Sequence, residues 1–519
     1  MSAFIQQVVI VGGGTAGWLT AGIIAAEYRV NNVSGVKITL VESPDVGTIG
    51  VGEGTWPSMR ATLKKIGISE TELIKVCDAS FKQGSKFVGW KNGLESDVYY
   101  HPFTLPSGYG EVNLFAAWKT HYSNMAFADA VTIQGQMCEM GCAPKQITAP
   151  EYAGALNYGY HLDAGKFAGL LQKHCTDVLG VKHVLDHVLD ITPASNGDIE
   201  SIKTRSSGDI QGDLFIDCTG LACLLIGQHY GIPFVDKKAI SINDCALATQ
   251  IPYNENANAI ASPTIATAHS AGWTWDIGLS SRRGVGYVYS SAHISDENAE
   301  RELRVHLAKS IGKEKADKIS ARKIAIRSGH REQFWHKNCV AIGMAAGFIE
   351  PLEASALALV ELSASMIRDE MPMTRETMAV VAKRFNEVTQ YRWRRIISFL
   401  KLHYILTQRR DTEYWCDVSK QDAIPEDLHE LLLLWKLRPP NDNDFNLLEE
   451  IFPSASYQYV LYGMGFEGQL SRDAKVSDHL DRGIQYIQEN VEKASKYGKV
   501  LSSNRDLIEK IQKYGLQKI

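Results

Sequence analysis

The sequence predicts a mixed α/β fold, and three stretches predict it. Val8-Val9-Ile10-Val11 is a continuous apolar run of the buried-strand type, followed by Gly12-Gly13-Gly14-Thr15-Ala16-Gly17 and a helix-forming run from Trp18 to Glu27. Ala271 to Leu279 alternates with period two, and Gly284-Val285-Gly286-Tyr287-Val288-Tyr289 reads as its antiparallel partner. From Ser355 the pattern turns helical, with Ser355 to Glu370 and Arg375 to Phe399 first. The expected organisation is a Rossmann-like α/β domain with an added β-sheet over residues 1–375. An irregular insertion falls at about 90–150, where Gly, Pro and aromatics cluster. A mainly helical lobe over 376–519 would cap the substrate site.

Composition narrows the class. The 519 residues carry a formal net charge of −5, which leaves no basic footprint for nucleic acid. No apolar stretch is long enough for a membrane span. The chain enters its first strand within a few residues, so no signal peptide is expected, and the cytoplasm is the default location. The nine cysteines are odd in number, scattered and without a CxxC pair, which favours reduced core thiols. Cys138 and Cys142 lack partners at zinc-site spacing, so no metal is expected.

The elements carry the chemistry in order. Gly12-x-Gly14-x-x-Gly17 has a strand before it and a helix after it, the context in which a pyrophosphate approaches a helix N-terminus. The second strand, Val36 to Val41, ends at Glu42, an acid placed for ribose hydroxyls. These features suit FAD and NAD equally. Gly50-Val51-Gly52-Glu53-Gly54-Thr55-Trp56-Pro57 is a strap whose glycines let it lie against something flat. Helices at Ser58 to Lys65 and Glu70 to Asp78 lead to Ser80-Phe81-Lys82-Gln83-Gly84. On composition alone Lys82 is a solvated lysine, and His101 a structural histidine. The α/β pattern resumes at Tyr160-His161-Leu162-Asp163 with a helix from Ala164 to Leu179. A strand-like stretch from Val181 to Ile191, containing Val188, follows, and Leu214 to Asp217 returns the chain to the sheet. Trp273, Trp275 and Ile277 share one face of their strand, where the plain reading is a sheet core. Arg392, Arg394 and Arg395 on the long helix read as a solvated or ion-paired face.

The stretch Gly343 to Ala356 joins a buried strand, Cys339 to Ile342, to the helix at Ser355. It is rich in small residues and holds Glu350 and Glu353. Small residues at a helix start leave free N–H groups that can hold an anion. This loop is the expected meeting point of cofactor, anion and catalytic carboxylate.

Taken together, these motifs resemble the flavin-dependent halogenases of the tryptophan halogenase family. The resemblance is carried by the glycine motif, Gly-Val-Gly-Glu at 50–53, Phe81-Lys82-x-Gly84, His101-Pro102-Phe103, Trp273-x-Trp275-x-Ile277 and Glu350-Pro351-Leu352-Glu353. It implies a fold of the flavin monooxygenase type and FAD used as FADH2. The implied reaction turns O2 and chloride or bromide into hypohalous acid, which an active-site lysine directs to an electron-rich aromatic ring. Lys82 would handle the halogen. Glu353 would polarise the oxidant or take the ring proton. The amides of Ser355 and Ala356 would hold the halide. Trp273, Trp275 and Ile277 would separate flavin from substrate, and His101 and Phe103 would meet the ring, with Tyr457 to Tyr462 nearby. The implied flavin contacts are Gly12, Gly13, Gly14, Thr15, Ala16, Gly17, Glu42, Val51, Val188, Met344 and Leu357. No second nucleotide unit is seen, so a separate flavin reductase is the expected partner, and a homodimer is compatible with the reading. Three positions depart from the family pattern: Gly278 in place of proline, Ala354-Ser355-Ala356 in place of Ser-Thr-Gly, and Met344 in place of aspartate. The competing readings are a flavin-dependent aromatic hydroxylase and a non-catalytic flavin-binding protein.

Overall fold

Strand β1 (Gln7–Val11) lies in the middle of a six-stranded sheet, between β2 (Lys37–Glu42) and the strand Leu214–Asp217. Beyond β2 comes Lys182–Leu185. Beyond Leu214–Asp217 come Cys339–Ala341 and then Trp335–His336, which is antiparallel to its neighbour. The other pairs are parallel. Four of the five β1 residues are buried, as a parallel strand covered on both faces requires. The strand order places β1 where the chain's direction of growth across the sheet reverses. In doubly wound sheets that switch point, at the carboxyl ends of the strands, is where ligands bind. The structure is a computed structural model and describes residues 4–28, 35–47, 52–253, 259–447, 449–469 and 476–518.

The chain divides into two units. The first comprises residues 1–79, 162–237 and 327–393. It holds the six-stranded sheet, helix α1 (Thr15–Tyr28), helix α2 (Ser58–Ile66) and the helix Ser355–Asp369, which packs on α1. Helix α1 begins three residues before the sequence reading placed it, because the glycine turn ends directly in helical backbone. The stretch expected as one strand, Val181 to Ile191, is two: Lys182–Leu185 in the parallel sheet and Val188–Pro193 in a separate antiparallel sheet. Asp186 makes the break. Its carboxylate accepts from the amides of His187, Ser206 and Ser207, which turns the chain out of the first sheet.

The second unit comprises residues 80–161, 238–326 and 394–519. Its seven-stranded sheet runs Arg322–Ala325, Cys245–Pro252, Arg282–Tyr289, Gly272–Gly278, Thr264–Ala268, Gly84–Val88 and Val98–Pro102. The period-two reading holds: Gly272–Gly278 and Arg282–Tyr289 are antiparallel neighbours, with Trp275 opposite Gly286 and Trp273 opposite Val288. One face packs through Leu247, Val285 and Tyr287 against Ala299, Leu303 and Leu307 of the helix Asp296–Ile311. Trp273 and Trp275, whose cross-strand partners alternate with these residues, occupy the other face. The segment read as an irregular insertion contains three short helices, Leu114–His121, Phe127–Val131 and Gln134–Glu139. They are too short for periodicity to reveal. The first is fixed by a cap, the Asn113 side chain accepting from the amide of Ala116. The long helix starts at Arg375 as expected and continues to Ile405. Arg395 on it is buried and ion-paired to Asp427 at 3.1 Å, while Arg394 is mostly exposed, so these arginines divide between the ion-paired and the solvated reading. All nine cysteines are free thiols, eight of them buried.

Candidate functional site

The glycine turn has the steric properties that a dinucleotide site needs. Gly12 has φ +117°, and a Cβ there would overlap the Cys218 carbonyl oxygen at 2.2 Å. A Cβ on Gly17 would overlap the Gly12 carbonyl oxygen at 1.9 Å, so the helix start packs directly on the strand end. Gly14 faces open space, with nothing within 4 Å of where a Cβ would sit. Beside it, the first amides of α1 point out of the helix end; Thr15 and Ala16 are only half-buried. This open concavity against a 14-residue helix is the shape a pyrophosphate fits. Glu42 ends β2 with its carboxyl against Gly13, where a Cβ would lie 2.1 Å from Cδ. His183 Nε2 lies 2.9 Å from Glu42 Oε2.

The other expected flavin contacts converge on this turn with one exception. Gly343 has φ +68°, and a Cβ on it would lie 2.8 Å from Ala16 Cβ, so the loop carrying Met344 is against the start of α1. Leu357 is buried in the helix that packs on α1. Val188 follows Asp186, whose amide donates to the Glu42 carbonyl at 2.9 Å. Val51 lies outside the described residues. Glu53 in the strap is half-buried, and desolvation pushes its carboxyl up to about 7.

The loop Gly343 to Ala354 delivers the catalytic candidates of the first unit. Glu353 is buried, with 3% of its surface exposed. Its carbonyl oxygen accepts from the Trp56 indole N–H at 2.8 Å. Ala354 is left-handed, φ 54° and ψ 43°, and the helix starts at Ser355 with no side-chain cap. Ser355 is buried and Ala356 exposed, so the amides of this helix start span the boundary between interior and surface. Burial pushes Glu361, two turns further along, up to about 7 even though Thr62 and Ser58 donate to it.

The second unit holds the lysine and the aromatic residues. Ser80–Lys82 pairs with Gly159–Leu162, Lys82 opposite Gly159 and Ser80 opposite His161. Lys82 is 1% exposed, so the solvated reading of this lysine is overturned. Its Nζ lies 5.4 Å from the centroid of the Phe103 ring, a cation–π placement. Phe103 follows the strand Val98–Pro102, which reaches Gly84 through the pairing of Gly84 with Pro102. His101 is buried, bonded to Ser456 Oγ at 2.9 Å through Nε2, with the Phe399 and Tyr459 rings 5.6 and 6.2 Å away. Tyr459 is buried too, and its hydroxyl donates to the Thr104 carbonyl. Thus Lys82, His101, Phe103 and the Tyr459 helix meet within one unit.

Trp273, Trp275 and Ile277 are all buried, and the two indole centroids are 6.4 Å apart. Trp275 lies between Ala266 and Gly286 on its neighbouring strands. A Cβ on Gly286 would lie 2.1 Å from Trp275 Cη2, so the glycine is what lets this ring lie down on the sheet. Gly278 accepts the Ser80 hydroxyl at its carbonyl, 2.5 Å away. It therefore ties the tryptophan strand to the lysine strand.

Two residues of these sites went unassigned in the sequence reading. Trp56 stood in the strap without a role. His161 stood only as part of a strand, yet it is fully buried, with Nε2 2.8 Å from Thr264 Oγ1. Burial first, and then the charge of Lys82, hold its pKa well below the usual histidine value. The in-register pairing, invisible from either strand alone, puts it on the lysine's side of the ladder.

A switch-point glycine turn, an acid at the end of the second strand and an open helix start define a dinucleotide-binding protein of the doubly wound class. The chain belongs to the tryptophan halogenase family, whose model matches residues 7–478. A tryptophan halogenase from Shewanella frigidimarina, known by crystal structure, is 48% identical and superposes with a TM-score of 0.96 over 99% of each chain. The tryptophan 6-halogenase of Streptomyces toxytricini is 34% identical over 89% of this chain and 90% of its own. A tryptophan C-6 flavin-dependent halogenase from taromycin biosynthesis is 30% identical, with a TM-score of 0.89 over 97% of this chain and 99% of that one.

Proposed function

We propose that this protein halogenates an electron-rich aromatic ring, an indole of the tryptophan type before a phenol, using FADH2, O2 and chloride or bromide. The observation that carries the reading is Lys82: an ammonium-bearing side chain buried at a strand end, facing Phe103 rather than solvent. A buried ammonium is costly unless it is paired, and titratable groups held in this way cluster at functional sites. The three relatives are tryptophan halogenases, which supports the same substrate class.

The glycine turn, Glu42 and the Met344 loop would hold the flavin, which when bound would supply, with O2, the oxidising equivalents that turn halide into hypohalous acid. The amides of Ser355 and Ala356 hold the halide at the positive end of the helix Ser355–Asp369. Lys82 receives the hypohalous acid, either by hydrogen bond or as a haloamine. In the second case Nζ, as a free amine, bonds the halogen, and hydroxide leaves with the amine proton as water. The aromatic ring then takes the halogen, and the bond to Nζ or oxygen breaks. The ring cation loses its proton to the Glu353 carboxylate, which restores aromaticity. Trp273 and Trp275 keep the substrate ring from direct oxygen transfer, which requires contact with the oxidant. His101 and Phe103 orient the ring by aromatic contact. A separate reductase supplies FADH2, and the cytoplasm, where nine free thiols stay reduced, is the proposed location.

The test is mass spectrometry of an indole and phenol panel, incubated with protein, FAD, a flavin reductase, NADH, O2 and either chloride or bromide. Products with the chlorine or bromine isotope pattern, lost in Lys82→Ala with FAD binding retained, are expected. A gain of one oxygen independent of halide would mark a hydroxylase instead, and no product with any substrate would favour a non-catalytic flavoprotein.

A further inference from the structure

We propose that Trp56 is a positioning residue for Glu353 and for the amides of Ser355 and Ala356, holding through its indole N–H the peptide from which they diverge. The inference rests on the halogenation reading above. The peptide linking Glu353 to Ala354 is gripped on both edges. Its carbonyl oxygen accepts from Trp56 Nε1 at 2.8 Å, and its N–H donates to the Pro351 carbonyl at 3.1 Å. A peptide is planar, so two bonds on opposite edges set its orientation. That orientation matters because the next residue is strained. Ala354 takes the left-handed conformation, φ 54°, without being glycine. A non-glycine residue stays there only where its surroundings over-determine it.

The same segment grips the helix a second time. Two residues after Trp56, Ser58 Oγ donates to Glu361 Oε2 at 3.1 Å, and Thr62 Oγ1 donates to Glu361 Oε1 at 2.6 Å. Trp56 to Thr62 therefore spans Glu353 to Glu361 as a clasp, with one bond at the strained start and two further along the helix. Loss of the two serine and threonine bonds would leave the helix packed on α1. Loss of the indole bond would free the peptide plane itself. The Glu353 side chain leaves from one end of that peptide, and the helix amides follow from the other. A small rotation there misdirects both.

The experiment removes the N–H while keeping the ring. Trp56 is replaced by benzothienylalanine, an isostere with sulfur in place of the indole nitrogen, and in parallel by phenylalanine (Trp56→Phe). The FAD-loaded proteins are compared by chloride-35 line broadening, by kcat and KM for chloride in the reductase-coupled reaction, by FAD affinity and by thermal unfolding. One hydrogen bond of this kind is worth about a threefold to tenfold change in an equilibrium or rate. Both variants are expected to bind chloride weaker by that factor and to lose kcat at saturating halide, with FAD affinity unchanged. Wild-type chloride affinity and kcat in the isostere would overturn the role of the N–H while leaving the halogenation reading intact. Absence of both chloride binding and halogenated product in the wild-type protein would remove the reading, and the inference with it.

Discussion

Glu361→Gln separates the charge of one buried carboxyl from its shape. Glu361 lies inside the first unit, 3% exposed, and accepts from Ser58 and Thr62. Burial raises its pKa from 4.5 to about 7. Between those values the folded protein holds a proton that the unfolded chain has released. Stability contributed by this group is therefore complete below pH 4.5 and is lost as pH rises through 7. At 1.36 kcal/mol per unit, the full loss is about 3 kcal/mol, of which about 2.5 kcal/mol falls between pH 5 and 8. Glutamine cannot ionise, and its amide can still bond both hydroxyls. The variant should thus gain on the wild type by about 2.5 kcal/mol from pH 5 to pH 8. In thermal unfolding that is a relative shift of about 2 °C if the whole chain melts together, and about 5 °C if the first unit melts alone. Scanning calorimetry of both proteins at pH 5, 6, 7 and 8 measures it. A difference in Tm that stays flat across this range, or that moves in the wild type's favour at high pH, would refute the assignment of a raised pKa to Glu361.

Other perturbations test the rest of the site. Glu353→Gln should lower turnover about a hundredfold or more, the usual contribution of a positioned base, with Tm within a degree or two of wild type; an unchanged rate would remove Glu353 from the chemistry. Gly286→Ala should cost about 1–3 kcal/mol, because its Cβ overlaps the Trp275 ring, and should alter the near-ultraviolet dichroism of the tryptophans; wild-type stability and spectrum would mean the ring has room elsewhere. Ala354→Gly should stabilise by about 1 kcal/mol by relieving a left-handed alanine, and denaturant titration that shows a loss instead would deny the strain.

The parts of this protein that sequence revealed are those in which a short stretch carries its own physical reason. The glycine turn is legible because strand, turn and helix are contiguous and Gly12, Gly13 and Gly17 each answer one close approach. The two tryptophan strands are legible because their period of two survives in fifteen residues of sequence. What stayed hidden depends on partners far along the chain. Trp56 meets Glu353 across nearly three hundred residues, and Ser58 and Thr62 reach Glu361 across a similar distance. His161 joins Lys82 only through strand register. The burial of Lys82 could not be read from a lone lysine near a helix end; the family motif suggested a functional role for it, and composition argued for a solvated one. The short helices of residues 114–139 escaped because none exceeds eight residues, below what a periodic pattern can show. The left-handed backbone at Ala354 gave no signal at all, since alanine does not ask for that conformation.

The place of β1 in its sheet also bears on how the protein is made. Its inner neighbour Leu214–Asp217 is synthesised some two hundred residues after it, and the next strand, Cys339–Ala341, about 330 residues after it. At about 5–20 residues per second a ribosome takes roughly 20 to 70 s to cover that distance. Until Lys182–Leu185 and Leu214–Asp217 are made, β1 and β2 expose Val, Ile and Leu along unpaired edges, and non-local pairings of this kind are slow to close even once the chain is complete. The nascent first unit thus carries unpaired strand edges for tens of seconds, a state in which chaperone binding is expected. Yield of soluble protein should respond more to slower growth and chaperone supply than to substitutions in the finished fold.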